Sequence, residues 1–159
     1  MDPNNRSSLI PTSATLPRRT WVLLALDAAE QKSLTPVQLQ KSLFILGMRR
    51  RHSLTGPFYN FRAYHYGPFD ADVYRDSDAL IEEGFVELHE SRHATVRAYA
   101  LSGAGRNAAL AAKDAVSNDL VHYLHDVVLW AQSLSFDELV RAIYDAYPEM
   151  RVNSLFRDI

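Results

Sequence analysis

The segment Ala63-Tyr64-His65-Tyr66-Gly67-Pro68-Phe69, followed by Asp70-Ala71-Asp72-Val73-Tyr74 and then Leu80-Ile81-Glu82-Glu83-Gly84-Phe85-Val86, decides the fold. It reads in turn as an aromatic strand, a Gly-Pro turn, a short acidic helix and a glycine stop, with a second strand starting at Phe85. Asp70 or Asp72 caps the helix, and Val73, Ser77 and Leu80, with Tyr74 and Ile81, form its inner stripe. Gly84 takes the left-handed position that ends it. Residues 85–89 and 95–101 alternate as a hairpin around a polar tip at 90–94. A helix followed by such a hairpin is the back half of a winged helix.

Toward the N-terminus, Trp21-Val22-Leu23-Leu24-Ala25-Leu26 opens a helix that is apolar on most sides, as a central helix must be. Thr35 and Pro36 start the next, carried by Leu39, Leu43, Leu46 and Phe44 and fraying at Gly47. Strand propensity dominates residues 58–66, which hold a strand that Gly67-Pro68 ends. Toward the C-terminus, Ser102 caps a helix reaching about residue 115, and Asn118 opens another through Leu120, Leu124, Val127 and Ala131. Ser135 and Glu138 form a capping box before a last helix that Pro148 stops. The expected organisation is α+β: a loose arm at 1–19, a winged-helix-like core at 20–106, and C-terminal helices at 107–159 packed on that core.

The 159 residues, 47% hydrophobic and 23% charged, suit one domain with its own core. There is no cysteine, which excludes disulfides, thiolate zinc and cysteine nucleophiles and fits a cytoplasmic location. No apolar run approaches the ~20 residues that span a bilayer. A net charge of −2 gives no general attraction to phosphate, so nucleic-acid binding would need a local basic patch.

No nucleophile elbow, phosphate-binding glycine loop or dinucleotide fingerprint is present. Ser102-Gly103-Ala104-Gly105-Arg106 reads as a strand entering a capped helix rather than an anion loop. His122 and His125 share a helix face beside Asp126, but a metalloenzyme would need a third ligand that the sequence does not place. The expectation is a chain without enzymatic activity, metal or cofactor.

Two surfaces remain as binding candidates. Arg49, Arg50 and Arg51, with Arg18-Arg19 in support, could contact phosphates or an acidic partner. The helix within 72–83 could not: Arg75 faces six carboxylates, at Asp70, Asp72, Asp76, Asp78, Glu82 and Glu83, which repel phosphate. The second candidate is apolar. Leu120, Leu124, Val127, Ala131 and Leu134 form one stripe toward the domain, leaving Val121, Val128, Leu129 and Trp130 on other faces as a protein interface anchored by Trp130. The alternative is that the last helix folds back over them.

Gln38-Leu39-Gln40-Lys41-Ser42-Leu43-Phe44-Ile45-Leu46, then Tyr66-Gly67-Pro68-Phe69, Val73-Tyr74, Leu80, Gly84-Phe85-Val86 and Tyr99-Ala100-Leu101-Ser102, follow one order. This order resembles that of the SocA-type antitoxin (Panacea) domains and the related YwgA-like proteins, over roughly residues 20–106, with Ser77 standing where the pattern has leucine. The resemblance implies a winged-helix-like domain without catalysis that neutralises a toxin or adapts it for proteolysis, and it carries no catalytic residue. The reading is therefore a regulatory binding module, antitoxin-like or adaptor-like. Its partner would be a protein, such as a toxin encoded nearby, or a second copy. The alternative is a DNA-binding regulator using Arg49–Arg51 and the wing.

Overall fold

Seven consecutive buried residues, from Trp21 to Asp27, place α1 (Thr20–Ala28) at the centre of the protein. The computed structural model describes residues 15–90 and 97–156. After α1 come a tight turn at Glu30–Lys32, a two-residue strand β1 (Ser33–Leu34), and α2 (Pro36–Arg49). The hydroxyl of Thr35 accepts from the Gln38 amide while the Gln38 side chain accepts from the Thr35 amide, so both ends of this capping box are closed. Gly47 does not fray the helix. The Phe58 ring lies against it, where a β-carbon would come 2.8 Å from Phe58 Cε2, and the turn is held by packing rather than propensity.

The strand expected within 58–66 is present as three residues, β2 (Arg62–Tyr64). Gly67-Pro68, expected to end it, instead opens β3 (Gly67–Phe69), antiparallel to β2 with Arg62 opposite Phe69 and Tyr64 opposite Gly67. Gly67 has a φ of +106°, which a side chain would make costly. The aromatics upstream leave the ladder for the core: Phe58 meets Trp21 edge-on at 6.0 Å and Phe61 meets Phe44 at 5.7 Å.

Helix α3 (Ala71–Glu82) is capped by Asp70, whose carboxylate accepts from the Asp72 amide, and buries Val73, Ser77 and Leu80. Ser77 stays dry because its hydroxyl donates to the Val73 carbonyl at 2.7 Å. Gly84, at φ +86°, turns the chain into β4 (Val86–Glu90), which pairs with β5 (Arg97–Leu101) from Val86–Leu101 to Glu90–Arg97. With β1 the sheet order is β1-β5-β4, all antiparallel. Helix, strand, two helices and a hairpin give a winged-helix-like core with the β2–β3 hairpin inserted between its second and third helices. The wing tip expected at 90–94 and most of the arm at 1–19 lie outside the described residues.

Three more helices complete the α+β fold: α4 (Gly103–Lys113), α5 (Asn118–Gln132) and α6 (Phe136–Ala146). The 106/107 boundary falls inside α4. Ser117 rather than Asn118 caps α5, and Ser135 with Glu138 forms the expected capping box of α6. At the start of α4, Ser102 Oγ accepts from the Gly105 amide at 3.0 Å and donates to the Gly84 carbonyl at 2.6 Å. Gly105 is pressed on the Phe85 carbonyl, and a β-carbon there would collide with backbone. Gly105→Ala is expected to lower urea-unfolding stability by about 1–3 kcal/mol through overpacking. Gly103→Ala, with open space around its β-carbon, is the control and should stay within about 0.5 kcal/mol.

Helix α5 joins two hydrophobic clusters. Leu120, Leu124 and Val128 belong to the one built on α1, with Trp21, Leu24 and Leu26, while Val127 and Ala131 join Phe44, Ile45, Leu139 and Ile143. No helix among the described residues is long and apolar enough to cross a membrane.

Candidate protein-binding surface

The acidic helix is partly neutralised from an unexpected direction. Arg18 does not reinforce the Arg49–Arg51 run. Its Nε and Nη2 reach Asp76 at 2.9 and 3.1 Å, and its Nη1 reaches Asp72 at 3.1 Å. Arg19 pairs with Glu83 at 2.5 Å. Asp76, expected to face outward, is only 15% exposed and also accepts from the buried Tyr59 hydroxyl at 2.6 Å. The hydrogen bond to Asp76 raises the Arg18 pKa, and burial followed by Asp76 raises that of Tyr59. Asp72 is bound by Arg75 as well, which holds its carboxyl below the usual range. Three arginines still face six carboxylates, so the helix remains negative.

The basic run is divided among different contacts. Arg49 donates from Nε to the Tyr147 hydroxyl at 2.9 Å, and the Arg50 guanidinium lies over the Tyr123 ring at 4.1 Å. Arg51 and His52 are exposed. On the described wing strands, Glu87 meets His89 at 3.0 Å and Glu90 meets Arg97 at 3.8 Å, so their charges are mixed rather than basic.

The four residues expected to form one apolar interface separate. Val128 is a core residue, 0% exposed: it lies four residues after Leu124 and shares its contact with the α1 cluster. It belongs to the cluster that holds α1 and the inner face of α2, whereas Val127 and Ala131 share the second cluster with Leu139 and Ile143 of α6. Val121 and Leu129 line a cleft between α1 and α5. Trp130, 39% exposed, lines a separate groove of about 270 Å³ between α5 and α6, together with Val127, Ala142 and Ala146. Arg49, Tyr123 and Tyr147 line the same groove, which joins one end of the basic run to the one exposed tryptophan.

No family model matches the chain, and no curated protein matches it. The parts of the Lys41 and Tyr66-Gly67-Pro68 pattern meet where α2 contacts the β2–β3 hairpin. The Lys41 ammonium donates to the Pro68 carbonyl at 3.2 Å. Gln40 donates to the Asp70 carbonyl at 3.0 Å and accepts from the Asp70 amide at 3.1 Å. Two adjacent side chains of α2 thus fasten the β2–β3 hairpin and the cap of α3. Lys41 is 4% exposed, and its burial lowers its pKa to about 8.

His122 and His125 are both exposed on α5, and no group of three metal-ligating side chains occurs among the described residues. Tyr147 and Tyr123 as partners of the arginines have no sequence signature, because neither pairing is local. Asp27, buried beside Lys32 and Lys113, was not among the expected functional residues. An acid inside an otherwise apolar run such as 21–29 is the signal that could have found it.

Proposed function

We propose that this chain is a non-enzymatic, cytoplasmic regulatory module that acts by binding a protein, in the manner of an antitoxin or an adaptor. The observation that carries the reading is the groove at Trp130. An aromatic side chain 39% exposed, in a groove shared with Tyr123, Tyr147 and the arginine that Tyr147 holds, has the composition of an interface anchor rather than of a solvated helix face. The resemblance to SocA-type antitoxins supports a toxin encoded nearby as the partner. The mixed charge of the wing strands and the engagement of Arg49 and Arg50 weigh against duplex DNA.

The test is affinity capture from native lysate with the wild-type chain and Trp130→Ala, together with a duplex-binding assay at low salt. A single stoichiometric protein retained by the wild type and lost on Trp130→Ala is the expected result. Duplex binding that weakens on charge reversal at Arg49 and Arg51, with no retained protein, would replace this reading with a DNA-binding one.

A further inference from the structure

We propose that the cleft between α1, α4 and α5 is a binding site for a small organic anion, a carboxylate carrying an apolar body. The cleft encloses about 500 Å³, within the range of small-molecule sites. Its floor includes Trp21, Leu24, Leu120 and Leu124, exposed by 1, 3, 4 and 3%. They set an apolar floor beneath the cleft.

The polar wall is built around Asp27, whose side chain is 10% exposed. Lys113 Nζ lies 2.5 Å from its Oδ2, and Lys32 Nζ lies 3.5 Å from its Oδ1 while donating to its backbone carbonyl at 2.7 Å. Lys32 is held there by a strained turn. Gln31 and Lys32 have φ of 58° and 53°, left-handed values that cost residues with side chains about 1 kcal/mol or more each. The strain is braced by Gln132, which accepts from the Glu30 amide at 2.8 Å and donates to the Ser33 carbonyl at 3.0 Å. Strained backbone that aims a charged side chain into a cleft is typical of ligand sites.

Donor and acceptor accounting gives the sign of the ligand. Each ammonium has three N–H groups. Lys32 spends one on the Asp27 carbonyl, and both ammoniums stand at ion-pair distance from the single Asp27 carboxylate, so two cations share one buried anion. An acceptor-only head completes this wall, whereas a cationic head would face two ammoniums. Glu30, the other acid on the cleft, is exposed at the rim and forms no ion pair among the described residues.

The chain has two tryptophans, so Trp130→Phe leaves Trp21 as the sole reporter in the cleft. In that background, octanoate, octylamine and octanol are titrated while Trp21 emission is followed. Octanoate is expected to give a saturable change that octylamine does not, and Lys113→Gln should weaken it roughly tenfold. Asp27→Asn, which releases both ammoniums, should tighten octanoate, a gain that damage to the fold would not produce. Equal response to all three probes, octanoate affinity unmoved by Lys113→Gln, or no tightening in a folded Asp27→Asn protein would each overturn the assignment.

Discussion

Between pH 7 and 9.5 the protein is expected to gain about 2 kcal/mol of unfolding free energy from Lys41 alone. The folded state holds this ammonium at 4% exposure against a single carbonyl acceptor, and its pKa falls from 10.5 to about 8. The unfolded chain therefore binds more protons than the folded one between those values. Stability rises with pH across that window, and the cost of the buried charge is largest below it. Tyrosine titration has the opposite sign. Burial raises the pKa of Tyr59, Tyr74 and Tyr99, so their phenols ionise first in the unfolded chain and stability falls above about pH 10. Urea unfolding at several pH values should show the wild type rising relative to Lys41→Met up to pH 9.5. The lost bond to Pro68 adds a constant offset and leaves the slope difference intact. Parallel profiles would show that Lys41 is hydrated or otherwise compensated in the folded state.

The larger functional effect belongs to Trp130. Truncating an aromatic anchor at the centre of an interface typically costs 2 kcal/mol or more, so Trp130→Ala should weaken the partner complex about 30- to 1000-fold. Calorimetry with the captured partner measures this. Val121→Ala and Leu129→Ala, on the other cleft, should change affinity by less than about threefold. Val128→Ala should act on stability instead, by roughly 1–3 kcal/mol, because its side chain is fully buried. The three responses separate residues that share one apolar stretch of sequence.

That stretch shows where sequence reading stops. The caps at Thr35, Ser102 and Ser135 and the left-handed stop at Gly84 were legible because each is a local rule about a few adjacent residues. The inner stripe of α3 was legible because one face meets the core and the other does not. Helix α5 buries two faces in two clusters, so a single-stripe reading left Val128 outside although it lies in the larger one. The span of α2 through Gly47 and the shortness of the strand within 58–66 share one cause. Phe58 leaves the sheet to pack on Gly47 and Trp21, a contact that periodicity does not encode. The pairing of Arg18 and Arg19 with α3 spans more than fifty residues and has no signature in either segment.

The most direct test of a protein-binding role at the α5–α6 groove is photo-cross-linking in living cells, with p-benzoylphenylalanine in place of Trp130 and, in parallel, of Val121. The account predicts a discrete adduct with one protein from position 130 and not from position 121. An unmodified chain from both positions, with the native protein sedimenting as a lone monomer at cellular concentration, would contradict it.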